Sequence, residues 1–235
     1  MLWDKVKSNP MRIVLHARAR LDLAYDSLDG LSVGDGLGAQ FFMVGRSLSD
    51  LVAGEPPRGP WDWTDDTEMA CNLVTELRDH GEIDQDRLAA LFADRCEPYR
   101  GYGAGAFTIL RKFRQGTPWR QAAGSAFDGQ GSCGNGAAMR IAPLGAYFAG
   151  DPDAVTVQAI RASEVTHQHP EAQDTVPFTL WVAAHHLDDY RTAITTCIRA
   201  GGDIDTTAAI VGGIVTRPPR TWLAGREPLP EWVTR

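Results

Sequence analysis

Apolar residues in this chain recur at helical spacing, and strand-like alternation is scarce. Ile13, Val14, Ala17, Leu21, Ala24 and Leu28 follow one another in steps of one, three and four, which predicts a helix over about 12–29. Met69, Ala70, Leu73, Val74 and Leu77 share a face of a second helix over about 66–79, ended by His80-Gly81. Asp84 caps a third helix through Leu88, Leu91 and Phe92. Further helices are expected over about 105–115, 118–127 (opened by Pro118), 153–165, 171–186 and 188–200. Gly201-Gly202 stops the last of these, and an apolar helix containing AAIVGGIV then runs to about Thr216. The tail carries Pro218, Pro219, Pro228 and Pro230 and is expected to be irregular. The fold class is all-α. With 235 residues, no fixed-period repeat and no linker ahead of the tail, the chain reads as a single domain over 1–235, with a tail at 217–235.

Composition narrows the function classes. Hydrophobic residues make up 43% and charged residues 23%, the balance of a soluble globular protein, and the net charge is 23 − 30 = −7. Such an acidic chain is a poor candidate for general binding to nucleic acid or anionic membrane. Cys71, Cys96, Cys133 and Cys197 form no CxxC pair, so free thiols in a reducing cytoplasm are expected. No apolar run is long enough to span a bilayer, and MLWDKVKSNP lacks a signal peptide's apolar stretch. A cytoplasmic monomer is the expectation.

Two acidic clusters carry the chemistry. Thr64-Asp65-Asp66-Thr67-Glu68 stands at a helix start, where Asp65 and Glu68 can act as an N-cap and its capping-box partner. Gly202-Asp203-Ile204-Asp205-Thr206-Thr207 repeats the arrangement ahead of the last apolar helix. Two caps do not need so many oxygen-bearing residues. Facing each other, the clusters would place mutually repelling carboxylates in a small volume, which a hard cation such as Mg²⁺ or Mn²⁺ would neutralise. Neither cluster contains histidine or cysteine, which argues against zinc.

GSCGNGAAMR at 131–140 has the glycine density of a loop whose backbone N–H groups approach phosphate closely, or of an ordinary tight connection. RGYGAG at 100–105 is a similar, weaker signal. GDGLGA at 34–39 follows no strand pattern, so a Rossmann site is not expected. His167 and His169, two apart, would not share a helix face; His185-His186 read as structural, and Trp61 and Trp63 as core or lid residues. Asp203-Ile204-Asp205-Thr206-Thr207 also matches the DxDxT nucleophile motif of Mg²⁺-dependent phosphatases, which requires a buried strand just before it.

WTDDT, RGYGAG, GSCGNGAAMR, SEVTH and GGDIDTTAAIVGGIV, in that order over about 18–216, resemble the ADP-ribosylglycohydrolase family. The resemblance implies a compact orthogonal helical bundle with a dinuclear Mg²⁺ or Mn²⁺ centre that hydrolyses ADP-ribose from a modified acceptor. It implies metal ligands at Thr64, Asp65, Asp66, Asp203, Asp205 and Thr206; in the mechanism expected for such a site a metal-ligand aspartate accepts the proton of water, with Asp66 favoured and Asp205 the other candidate. It implies ADP-ribose contacts at Gly103, Gly131, Ser132, Cys133, Gly134, Asn135, Gly136 and His167. Several relatives place a glutamate seven residues after the aspartate of the GD motif; here that position is Phe42, and Asp50 and Glu55 are not obvious replacements. A non-catalytic ADP-ribose-binding descendant is therefore the alternative.

Overall fold

The computed structural model describes residues 15–51, 55–132, 134–168 and 175–233, and in it the all-α expectation holds. The helices are α1 (Ala17–Phe42), α2 (Asp65–His80), α3 (Gln85–Arg95), α4 (Ala104–Arg114), α5 (Trp119–Gly124), α6 (Ala142–Tyr147), α7 (Pro152–Glu164), α8 (Thr175–His185), α9 (Tyr190–Ala200), α10 (Ile204–Val215) and α11 (Arg220–Leu223). Among the described residues, extended pairing is limited to a single bridge between Trp61 and Arg226. No helix among them is long and apolar enough to cross a membrane. Cys71, Cys96 and Cys197 are buried free thiols, and Cys133 lies outside the described residues.

The central element is α1, whose 26 residues span about 39 Å. It runs well past the expected end near residue 29, and the expected start near residue 12 lies outside the described residues. The reason is tertiary. Gly30, Gly34 and Gly38, spaced four apart, share one face and let α1 lie directly against α10. A Cβ at Gly30 would stand 2.1 Å from the Gly212 carbonyl oxygen, one at Gly34 2.1 Å from that of Ala208, and one at Gly38 2.7 Å from the Asp205 Cα. The partner number falls as the α1 number rises, so the two helices are antiparallel. Glycine costs a helix about 1 kcal/mol per residue relative to alanine, and close packing with α10 outweighs that local preference. GDGLGA is thus a helix–helix contact.

Elsewhere the sequence pattern and the structure mostly agree. The Asp84 side chain accepts from the Arg87 N–H at 2.9 Å, and left-handed Gly81 (φ 76°) closes α2. Helix α5 is shorter than the expected 118–127, and residues 171–174 of the expected 171–186 helix lie outside the described residues. Helix α6 was not expected, since six residues after a glycine loop leave too little periodicity to read. The tail is also more ordered than its prolines imply. It forms α11 and a 3₁₀ turn at Glu231–Val233, and it buries Trp222 and Val233.

Candidate active site

The α1–α10 contact ends where the acids begin. Gly38 meets Asp205 at the start of α10, and Asp35 lies one turn earlier on α1, fully buried. Asp35 Oδ2 accepts from the Thr64 N–H at 2.9 Å, the Thr67 N–H at 3.1 Å and the Thr67 hydroxyl at 2.5 Å, while Oδ1 accepts from the Thr64 hydroxyl at 2.8 Å. One side chain thereby fixes the first turn of α2. The cap of that helix is Thr64, whose Oγ1 accepts from the Asp66 N–H. This corrects the expected Asp65–Glu68 capping box. Glu68 instead accepts from the Tyr102 hydroxyl at 2.5 Å and the Glu97 N–H at 3.1 Å. Released from capping, Asp65 and Asp66 face a cleft.

Asp203 occupies the N-cap position of α10 without making a side-chain cap bond; its Oδ2 accepts from the Asn135 amide at 2.6 Å. The two clusters meet there, with the Thr206 hydroxyl 3.5 Å from Asp66 Oδ2 across 140 positions of sequence. The cleft has a volume of about 340 Å³. Asp65, Asp66, Asp203, Asp205 and Thr206 line one side, and Ser132, Gly134, Asn135, Gly136 and His167 line it as well. Gly103 also lines it, Gly131 is a buried left-handed residue (φ 78°) beside Ser132, and Cys133 is outside the described residues. Thr64 stands just behind the lining, buried and bonded to Asp35 and Asp66. Phe42 and Phe127 are half-exposed at the cleft. Asp50 closes a capping box with Ser47, and Glu55 binds Arg191, so neither acid replaces the glutamate missing at Phe42.

Burial and crowding set the electrostatics. Burial, reinforced by the charge of Asp35, raises Asp65 to about 7. Burial, then the Asp203 hydrogen bond and the Asp35 charge, raises Asp205 to about 8. Asp66 is pushed well above the carboxylate range by burial and by Asp35, Asp65 and Asp205, and its Oδ1 is buried with no hydrogen-bond partner. Burial raises Asp35 to about 6 against the pull of the Thr67 and Thr64 hydrogen bonds.

Arg140, which the sequence did not flag, and His167, which the family resemblance did, also line the cleft. Arg140 is fully buried, donates to the Ala162 carbonyl at 2.9 Å and the Thr166 hydroxyl at 2.8 Å, and has an unpartnered Nε. His167 packs against the glycine loop: a Cβ at Gly136 would lie 2.7 Å from its Cε1. Burial and the Arg140 charge lower His167 to about 3, so its ring is neutral near pH 7.

The sequence model of the ADP-ribosylglycohydrolase family matches residues 16–175 and 172–217. The chain belongs to the ADP-ribosylglycohydrolase family. It is 35% identical over 162 residues to ADP-ribosylhydrolase ARH3 of Gallus gallus, covering 60% of this chain and 43% of that protein. It is 30% identical over 184 residues to the ADP-ribosyl-(dinitrogen reductase) glycohydrolase of Rhodospirillum rubrum, covering 71% and 58%. It is 29% identical over 164 residues to ADP-ribosylarginine hydrolase Tri1 of Pseudomonas putida, covering 65% and 43%. The chain spans about half the length of the curated relatives it matches.

Family membership and fold dispose of the phosphatase alternative, because Asp203 follows the end of helix α9 and Gly201-Gly202 rather than a strand. The residues present suit a hard divalent cation: the donors are carboxylate and hydroxyl oxygens, and Asp66 Oδ1 is a buried acceptor without a donor. The carboxylates face one cleft without closing on a point, and among the described residues no three His, Cys, Asp or Glu side chains form a ready-made ligand group.

Proposed function

We propose that the chain hydrolyses the bond between ADP-ribose and a modified acceptor. The observation that carries this reading is the meeting of Asp66 with Thr206 at the floor of a cleft that the glycine loop also lines. Thr64, Asp65, Asp66, Asp203, Asp205 and Thr206 would hold two Mg²⁺ or Mn²⁺ ions, which when bound polarise water and sugar hydroxyls as Lewis acids.

The chain's own groups supply the rest. Asp66, whose unpartnered Oδ1 would be ionised once divalent cations offset the neighbouring carboxylates, would accept the proton of the attacking water, and Asp205 is the other candidate. The water oxygen bonds to the anomeric carbon of the ribose distal to adenosine as the bond to the acceptor breaks. Among the described residues of the glycine loop, Ser132, Asn135 and Gly136 would present backbone N–H groups to the diphosphate, and Gly103 leaves open space beside the sugar. Neutral His167 buttresses that loop without adding charge. Phe42 offers no proton to the leaving group, which favours acceptors that depart without one, such as a protonated guanidinium or the carboxylate of an ester. The Pseudomonas putida relative is an ADP-ribosylarginine hydrolase, which points the same way.

The test is ADP-ribose release from arginine-, serine- and glutamate-linked conjugates, O-acetyl-ADP-ribose and ADP-ribosylated DNA, with Mg²⁺ or Mn²⁺. Release on at least one linkage, abolished in the Asp65→Asn/Asp66→Asn double variant, is expected. Equal release by that variant would refute the mechanism. The half-exposed Phe42 at the cleft favours one second reading, a non-catalytic ADP-ribose binder. Tight ADP-ribose binding with no turnover on any linkage would establish it.

A further inference from the structure

We propose that Arg100 is a positioning residue, which holds the Thr64–Asp66 turn in the shape that receives divalent cations by gripping Trp63 and the C-terminal Glu227. The inference rests on the functional reading above and extends it to residues outside the cleft.

Arg100 ends the 3₁₀ turn Pro98–Arg100 and is buried, at 7% exposure. Each of its three guanidinium nitrogens donates a hydrogen bond. Nη1 donates to the Trp63 carbonyl at 3.0 Å and to Glu227 Oε2 at 2.6 Å, Nη2 donates to Glu227 Oε1 at 3.0 Å, and Nε donates to Glu97 Oε2 at 3.3 Å. Its Cζ lies 3.2 Å from the centre of the Trp63 ring. A bidentate carboxylate pair combined with aromatic stacking is an arrangement lysine cannot reproduce.

The location gives the contact its meaning. Trp63 immediately precedes Thr64, Asp65 and Asp66, so the carbonyl held by Arg100 belongs to the peptide bond that leads into Thr64, one residue ahead of the acids. Arg100 is itself followed by Gly101 (φ 92°) and then Gly103, both at the cleft. One guanidinium therefore ties together two segments that line the site. It does not neutralise the acids, because its charge is met by Glu97 and Glu227.

The tail completes the grip. The Trp61 N–H donates to the Gly225 carbonyl at 2.7 Å, the Glu227 N–H donates to the Trp61 carbonyl at 2.9 Å, and Trp63 Nε1 donates to the Pro228 carbonyl at 3.2 Å. Arg226 reaches Asp29 on α1 at 3.6 Å. A Cβ at Gly59 would lie 2.3 Å from the Gly225 oxygen, so the strap lies in direct backbone contact with the segment leading to the acids. Adjacent aspartates repel and would push their turn open. Anchoring the preceding backbone from outside the cleft opposes that without spending a ligand oxygen.

The experiment compares wild type with Arg100→Lys, Arg100→Gln and Glu227→Gln, and with Arg95→Ala as control. Arg95 also stacks on a tryptophan, Trp232, but makes no bond to Trp63 or Glu227. Mn²⁺ is titrated by electron paramagnetic resonance, well below the melting temperature of each variant and with folding checked by circular dichroism. Removing a direct hydrogen-bond partner of a metal ligand weakens affinity by about 10–100-fold, and Arg100, one residue further out, should give a loss at the lower end, about 10-fold. The expected result is that loss for Arg100→Gln, a smaller loss for Arg100→Lys and Glu227→Gln, and wild-type affinity for Arg95→Ala. A merely structural role would lower the melting temperature and leave Mn²⁺ affinity of the folded protein unchanged. That outcome in Glu227→Gln and in whichever Arg100 variant folds overturns the inference while the functional reading stands. If wild type itself binds no Mn²⁺, both fall.

Discussion

Replacing Asp35 separates acceptor count from charge as the reason the acidic turn holds its shape. In Asp35→Ala the Thr64 and Thr67 N–H groups lose their acceptor in a fully buried place. Each buried donor left unpaired costs about 1–3 kcal/mol, which gives about 2–6 kcal/mol for the two amides. The two hydroxyls add less, because they rotate, and the Thr64 hydroxyl already has Asp66 Oδ2 at 3.2 Å. Removing a buried acid whose pKa sits at about 6 returns some desolvation energy, so the lower half of that range, about 2–4 kcal/mol, is expected. Asp35→Asn behaves differently. Its carbonyl oxygen can replace Oδ2 for the two amides and the Thr67 hydroxyl, and its NH₂ can donate to the Thr64 oxygen in place of Oδ1. The expected loss is under about 1 kcal/mol. Urea unfolding at pH 7 in a chelator, with the slope unchanged among variants, reads both values. Equal destabilisation by alanine and asparagine would refute the reasoning, since the charge would then be what holds the turn.

Gly34→Ala drives a methyl group toward the Ala208 carbonyl, where the Cβ would lie 2.1 Å away. Overpacking of this kind costs about 1–3 kcal/mol, and a drop in thermal midpoint with weaker divalent-cation binding is expected, because α10 carries Asp205. In a chelator, stability should fall as pH rises from about 4 to about 8. Asp35, Asp65 and Asp205, raised to about 6, 7 and 8, keep protons in the folded state that the unfolded chain has released. Added Mg²⁺ should therefore raise the melting temperature strongly at pH 8 and little at pH 5, and a melting temperature independent of pH and Mg²⁺ would contradict the electrostatic account.

Much of this arrangement is visible in the sequence where a local signal coincides with a local cause. The α3 cap at Asp84 and the Gly81 stop are read correctly because each acts on its own helix end. The two acidic clusters stand out because oxygen-rich helix starts are unusual in duplicate, and the structure does bring them together. What escaped is what only packing decides. Glycines spaced four apart look like a helix break until α10 is known to lie against them. Asp35 sits inside that stretch, and nothing local marks it as the acceptor for four donors from α2 and its cap. Glu68 has the spacing of a capping box, yet Tyr102 and Glu97, some thirty positions away, claim its carboxylate. The proline-bearing tail gives no sign that Arg100 and Trp63 await it.

The central claim is that acids from α2 and α10 act as one cation-binding unit. Counting Mn²⁺ ions bound by wild type, Asp66→Asn and Asp205→Asn at pH 8 tests it directly. The account predicts two ions for wild type and a loss of affinity in both variants, although the substituted residues belong to helices far apart in sequence. Wild-type affinity and stoichiometry in either variant would contradict it.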